Sequence, residues 1–391
     1  MWIFIRPLDT VCSRDGRPYS VGEGVMAKSL FPPLPSTFYG AIRSAILAQH
    51  NKSFDEFQNL KTPYSDLPEV GTSDQVGTLK ISGPCLAKKD EDLGTFNWFM
   101  PAPAHLTKEK GMSDQFHLLL PSEKDILAKN CTDLDCPVHL IQGPESTVVK
   151  VFNGFLGSND IRNVLMLKPP KNDKPDNHNL FKTFWQVGLE RGANRGCKEG
   201  QLYSAGHYQM PDSAGFYLKI SNVSDKTSDV LNSGGILKLG GEWRAAAYEM
   251  TEQSPFNHSL IADITQKIAN NNRFLLWFVT PAIFKNAYLP DFLDPNTLEG
   301  QLHGLNVKLI ACQTKNKTFV GGFKLGKGGS GKPKDGFFAV PAGSVYFFEC
   351  LEPLDKDKAQ QLVNQQMFDT IKPQNINAAQ QGFGTTLIGG Y

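Results

Sequence analysis

The sequence predicts an α+β fold of two ferredoxin-like domains, the first interrupted by a large insertion. Three observations carry that expectation. Residues 1–50 compress a strand, an arginine-bearing loop and an amphipathic helix into one unit, which is how a βαββαβ domain opens. A Rossmann-type domain opens the same way, but the phosphate-binding Gly-x-Gly-x-x-Gly is absent, which disfavours that option. The 391 residues exceed the roughly 250 to 300 that one core usually supports, and the second half loosely repeats the strand and helix inventory of the first.

Trp2 to Ile5 is a short apolar run rich in β-formers and reads as a strand buried on both faces. Arg6 and Pro7 end it. Asp15-Gly16-Arg17-Pro18 is turn chemistry that presents Arg14 and Arg17 outward. Pro32, Pro33 and Pro35 stiffen the approach to Ser36, which stands at the expected N-cap of a helix whose apolar face is Phe38, Ala41, Ile42, Ala45 and Ile46. Arg43 falls on the flank of that stripe, where it can face a ligand. Residues 51 to about 180 are irregular. They read as a folded insertion whose apolar residues cover the first helix or a partner, with candidate strands at Gly77–Leu86 and Thr147–Phe155.

Organisation returns at Phe184–Arg191 and Gly200–Tyr203, two strands of a hairpin with Arg191, Arg195 and Lys198 at its tip. Gly215–Ser221 is the next strand. Gly235–Leu239 is expected to close the first domain, with Gly240-Gly241-Glu242-Trp243-Arg244 as a turn beyond it and a linker near 249–258. The domains are therefore 1–250 and 251–391. In the second, Phe274–Val279, Val307–Cys312 and Phe337–Cys350 supply strands, Leu354–Ile371 a helix, and Phe383–Ile388 a short strand or turn between glycines.

Composition bounds the function. Forty Lys and Arg against 39 Asp and Glu give a net charge of +1, so a polyanion must be met by local patches. Seven cysteines without regular spacing fit a reducing cytosol better than a disulfide framework. Cys131 and Cys136 lack further ligands for zinc, and no metal or cofactor is expected. The N-terminal apolar run is too short for a signal peptide and no window reaches the ~20 apolar residues of a membrane span, so a cytoplasmic protein with no membrane partner is expected.

Several motifs mislead. Gly321-x4-Gly326-Lys327 and Gly326-x4-Gly331-Lys332 begin like Walker A loops, but Gly328 and Pro333 stand where Ser or Thr must hold magnesium, and a strand follows instead of a helix. What survives there is charge: six lysines between 315 and 334 against Asp335, either a solvated loop or a phosphate contact. Of eight histidines, His207 is the strongest single candidate for a general base of a metal-independent ribonuclease, although no second group stands at a telling spacing. Asp9 and Asp15 read as turn formers.

Leu8-Asp9-Thr10, Arg14-Asp15-Gly16-Arg17-Pro18, Phe31-Pro32-Pro33-Leu34-Pro35-Ser36-Thr37 and Gly40-Ala41-Ile42-Arg43 resemble the N-terminus of the third-subunit family of CRISPR type III-B (Cmr) effector complexes, members of the RAMP superfamily. The likeness continues through Val187–Arg191 with Glu199–Tyr203, through Leu239–Arg244, Thr280–Phe284 and Ala339–Phe347, and into Gly382-Phe383-Gly384 with Gly389-Gly390, which is similar to the RAMP glycine-rich loop. His105, in Pro101-Ala102-Pro103-Ala104-His105, stands where the family tends to carry aspartate.

The resemblance implies RRM-like domains and a noncatalytic subunit holding the 5′ repeat-derived end of CRISPR RNA. It also implies two protein partners, the RNA-coating backbone subunit and the large polymerase/cyclase-like subunit. The competing expectation is a repeat-cleaving, metal-independent endoribonuclease of the same superfamily. Arginines can grip phosphate bidentately and stack on bases, and glycines admit a phosphate close to the backbone. The expected RNA contacts are therefore Arg14, Arg17, Arg43, Arg191, Arg195, Lys238, Arg244, Gly382, Gly384 and Gly389. Each arginine has an ordinary surface or salt-bridged reading beside this one.

Overall fold

The computed structural model describes residues 1–14, 26–27, 29–109, 115–126, 139–142, 149–170, 180–191, 197–286, 288–324, 332–371 and 376–391. The opening apolar run forms β1 (Trp2–Pro7), with Ile3, Phe4 and Ile5 all buried. α1 spans Pro35–Gln49 and buries the expected stripe. Its N-cap is Leu34 and Pro35 takes the first helical position, so Ser36 lies inside the helix. Proline is preorganised for that position, where the missing N–H costs nothing.

There follow β2 (Lys80–Lys89), β3 (Phe96–Pro101), β4 (Phe155–Gly157), α2 (Ser158–Leu165), the hairpin β5 (Lys182–Arg191) and β6 (Cys197–Gln209), then β7 (Ala214–Ser221), α3 (Asp225–Asn232), β8 (Gly235–Lys238) and β9 (Ala245–Thr251). The first sheet runs β4-β3-β2-β7-β1-β9-β8 and every pair in it is antiparallel. Two expectations change here. Lys80–Lys89 is a central strand paired with β7, so the stretch 51–180 contributes to the sheet itself. The last strand of the first half is Ala245–Thr251, paired along the length of β1, and Gly235–Lys238 lies beyond it at the edge of the sheet.

The second half contains α4 (His258–Asn271), β10 (Arg273–Phe278), β11 (Glu299–Leu302), β12 (Leu305–Gln313), β13 (Val345–Cys350), α5 (Lys356–Gln366), β14 (Asp369–Thr370) and β15 (Thr385–Gly390). Its sheet runs β11-β12-β13-β10-β15-β14, also antiparallel. α4 is an addition to the sequence reading: the Asn257 side chain caps it by accepting from the Leu260 N–H, and Leu260, Ile264 and Ile268 bury its inner face. Asp355 caps α5 in the same way, accepting from the Lys358 N–H.

Both faces of the first sheet are covered. Ile3, Ile5, Phe216 and Leu218 meet Phe38, Ile42 and Ile46 of α1, joined by Leu67, Val70 and Leu79 from the stretch expected to cover that helix. Phe4, Cys85 and Tyr217 on the opposite face share a second core with Phe274, Leu276, Trp277 and Leu387. The two halves thus have apolar core in common, reinforced where the Trp2 ring lies 5.2 Å from Phe368 and the Trp277 indole N–H donates to the Pro101 carbonyl at 3.0 Å. Burying that shared apolar area is the dominant force holding the halves together. Among the described residues no helix is long and apolar enough to cross a membrane.

Candidate nucleic-acid interface

Three segments far apart in sequence meet at one edge of the first sheet. The first is the loop after β1, where Leu8 N–H donates to the Ala245 carbonyl and Val11 exchanges backbone hydrogen bonds with Tyr208. The second is the base of the β5–β6 hairpin. The third is the turn between β8 and β9, closed by Leu239 N–H to the Arg244 carbonyl at 2.8 Å and pinned by Gly241 N–H to the Cys12 carbonyl at 2.7 Å. Gly240 has φ +76°, and a Cβ there would lie 2.4 Å from the Cys12 carbonyl oxygen, so this close approach requires glycine.

Charge ties the segments together. The Arg244 guanidinium pairs with Asp9 and, at 2.9 Å, with Glu242, and it also donates to Gln186 of the hairpin at 3.1 Å. Those acceptors, Glu242 foremost, hold Arg244 above its usual range. The Thr10 backbone N–H and then Arg244 hold the Asp9 carboxyl below its own. Lys238 places its ammonium 3.6 Å from the centroid of the Trp243 ring. Trp243 is 73% exposed, and both it and Glu242 have φ +58°, a left-handed conformation that costs a non-glycine residue about 1–3 kcal/mol and needs surrounding contacts to hold it.

His207 belongs to this cluster but faces inward. Its ring is fully buried, with Nδ1 3.0 Å from the Thr10 hydroxyl and Nε2 3.9 Å from a Glu242 carboxylate oxygen. The ring is therefore tied to the loop through Nδ1, while Nε2 has no hydrogen-bond partner among the described residues.

Of the expected contacts, Lys238 and Arg244 stand in this cluster, and Arg14 lies in the same loop, exposed and bridged to Ser29. Arg191 is the β5 residue opposite Cys197, past a register shift. Arg17 and Arg195 lie outside the described residues. Four expectations find other roles. Arg43 donates to the Thr72 carbonyl at 2.6 Å and lies against the rings of Tyr39 and Phe57, held inside the fold where burial lowers its pKa. The final glycines are buried: a Cβ on Gly382 would lie 2.6 Å from the Gly83 carbonyl oxygen, one on Gly389 2.7 Å from that of Leu165, and one on Gly384 3.3 Å from Ile371. At Gly382 and Gly389 the close approach is to the protein's own backbone across the junction of the two halves, and at Gly384 it is to the Ile371 side chain within the second half.

Trp243 and Gln186 join this candidate surface although the sequence reading names neither as a contact. Two glycines followed by an acid, an aromatic and a base was the available signal for the first, while Gln186 had none. His105 is buried edge-on to Phe347, and burial pushes its pKa down to about 3, so it packs as a neutral ring. A cavity of about 500 Å³ lies elsewhere on the first sheet, where Glu91, Asp212 and Glu249 outnumber Arg6 and Lys89. That sign is wrong for a polyanion. Among the described residues no group of three or more His, Cys, Asp or Glu side chains is placed to hold a metal.

Similar structures include two chains from the type III-B Cmr-beta complex. One, bound to cognate target RNA and AMPPnP, is 18% identical with a TM-score of 0.47, and the match covers 89% of this chain and 86% of that one. The other, bound to cognate target RNA, is 17% identical with the same TM-score and coverage. A chain of the Csm3-Csm4 subcomplex of the type III-A CRISPR-Cas interference complex is 12% identical over 91% of this chain and 95% of that one, with a TM-score of 0.34. No curated protein matches by sequence. The family described as CRISPR-associated protein (Cas_Cmr3) matches residues 3–390, and the chain belongs to that family.

Proposed function

We propose that this protein is the noncatalytic subunit of a cytoplasmic type III-B effector complex that holds the 5′ repeat-derived end of CRISPR RNA. In that role it joins the RNA-coating backbone subunit to the large polymerase/cyclase-like subunit. The observation that carries the RNA reading is the convergence of the Asp9 loop, the hairpin base and the Gly240–Arg244 turn, which brings Lys238, Arg244 and the exposed Trp243 ring to one surface. An exposed ring set among hydrogen-bonding side chains suits single-stranded RNA, whose unpaired bases need stacking partners.

Both halves fit a ferredoxin-like, RRM-like reading, divided near residue 250. In each, four strands lie in the order second, third, first, fourth: β2-β7-β1-β9 and β12-β13-β10-β15. In the second half no helix separates β10 from β12 among the described residues, and α4, ahead of β10, takes the vacant place by packing on α5 and β15.

The noncatalytic reading is supported by His207. A general base must come within about 2.6–3.2 Å of the ribose hydroxyl it deprotonates, and this ring is sealed between Thr10 and Glu242. Incubating the purified full chain with precursor repeat RNA in EDTA tests it. Retention of intact RNA, with affinity falling as salt rises, is expected. Site-specific cleavage that disappears in His207→Ala would overturn the noncatalytic assignment, and absence of binding would overturn the RNA assignment.

A further inference from the structure

We propose that Trp243 is a stacking shelf for one unpaired base of the single-stranded RNA, an inference that rests on the RNA-binding reading above and gives it a defined contact. Four observations converge on this residue. The indole is the most exposed tryptophan for which burial is described, at 73%. Among the described residues no other aromatic ring stacks on it, and the Lys238 ammonium covers one face at 3.6 Å from the centroid. A cation on one face leaves the opposite face for a planar partner.

The third observation is rigidity. Glu242 and Trp243 sit consecutively at φ +58°, and the turn is fixed by Gly241 to the Cys12 carbonyl, by Glu242 beside His207 and by Arg244 to Asp9. Arg244 is a positioning residue here: it holds the turn, and Trp243 touches the ligand. A shelf held in place before binding loses little freedom when a base lands on it.

The fourth is charge balance. Lys238 and Arg244 are offset by Asp9 and Glu242, so the cluster carries no net charge with which to draw a phosphate. What it offers is a polarised aromatic face. The neighbouring hairpin strand, tied to the turn through Gln186, exposes Phe184 on the same strand face as Gln186, with Trp185 on the other face. Separate rings interleaved with charged side chains suit successive bases of a single strand. The core of a protein-docking patch is depleted of charge, whereas Lys238, Glu242 and Arg244 flank this ring.

The test uses the full chain and a single-stranded RNA carrying the 5′ repeat-derived sequence, with affinity measured across a salt series for wild type, Trp243→Ala, Trp243→Phe and Lys238→Ala. Loss of one base stack predicts that Trp243→Ala weakens binding about 5- to 150-fold. The slope of affinity against salt should stay at the wild-type value, because no phosphate contact is removed. Trp243→Phe should restore most of the affinity, and Lys238→Ala should cost a few-fold. Trp243 is exposed, so the variants should melt with wild type, and that measurement accompanies the binding. Wild-type RNA binding with unchanged affinity in Trp243→Ala overturns the shelf while leaving the RNA reading intact. The same result with loss of assembly onto the other complex subunits assigns Trp243 to a protein interface. Failure of wild type to bind RNA overturns the reading beneath it.

Discussion

Replacing Gly382 by alanine separates two roles for the C-terminal glycines. This residue has φ +92°, and an added Cβ would lie 2.6 Å from the Gly83 carbonyl oxygen and 3.1 Å from Ile81. The Gly382 carbonyl itself accepts from the hydroxyls of Thr280 at 2.7 Å and Thr385 at 2.9 Å, while Thr385 accepts from Gly83 N–H at 2.9 Å. The turn therefore has backbone on both sides and little room to shift. Left-handed strain on a non-glycine residue costs about 1–3 kcal/mol, and overpacking a tight contact costs about 1–3 kcal/mol more. With an unfolding entropy of about 2 cal/mol/K per residue over 391 residues, each kcal/mol moves the midpoint by roughly 1 °C. Gly382→Ala should lower Tm by about 2–7 °C and leave the RNA affinity of the folded protein unchanged. Gly94→Ala is the control: φ is +64° but no atom lies within 4 Å of the added carbon, so only the strain, about 1–2 kcal/mol, remains. A Gly382→Ala protein that melts like wild type but loses RNA would refute the packing role and return this loop to the RNA.

Arg43→Ala should cost about 1.5–3 kcal/mol in urea unfolding, the range for a hydrogen bond made by a charged group, without altering the salt dependence of RNA binding; a flattened salt slope would contradict its internal role. Gly40 is a helical glycine with nothing within 4 Å of an added Cβ, so Gly40→Ala should stabilise the protein by about 1 kcal/mol, and a fall in the urea midpoint would count against the assigned helix. Lys315, whose Nζ donates to the Ala102 carbonyl at 2.7 Å, is pushed down to about 8 from 10.5 by burial. Between those two pH values the unfolded chain binds more protons than the folded one, so this residue makes stability rise with pH there, with a constant penalty below the window and none above it. Lys315→Met should remove that rise, read as the difference between variant and wild-type urea midpoints at either end of the window; an unchanged difference would show that Lys315 is not the source.

Elements whose burial pattern is written in their own residues were legible. The run Trp2–Ile5, the hairpin, β7 and β10 stand close to where periodicity places them, and α5 starts as expected but stops at Gln366, short of Ile371, because Asp369–Thr370 pairs as β14. β9 was not, because Ala245-Ala246-Ala247 has little β-preference and becomes a strand by pairing with β1 and β8. α4 left a readable trace, Asn257 before Leu260, Ile264 and Ile268, obscured by the linker-like composition just ahead of it. The site was half legible. Glycines announce that something approaches closely without saying what, and at Gly382 it is the Gly83 carbonyl. The helix pattern placed Arg43 on a flank, but only the folding-back of residues 51–79 supplies the Thr72 carbonyl that occupies it. Lys238 and Arg244 could be picked by charge and position, whereas the link of Arg244 to Asp9 and Gln186 depends on tertiary contacts with no sequence signature.

The central claim is that the surface joining the Asp9 loop, the hairpin and the Gly240–Arg244 turn holds RNA. Ultraviolet crosslinking of the assembled complex, followed by mapping of peptide–RNA adducts and sequencing of the copurified RNA from its 5′ end, tests it most directly. Adducts are expected within residues 1–50 and 190–244, Trp243 among them, on RNA that begins with repeat-derived sequence. Adducts confined to residues 382–390, or none on this chain while other subunits crosslink, would contradict it.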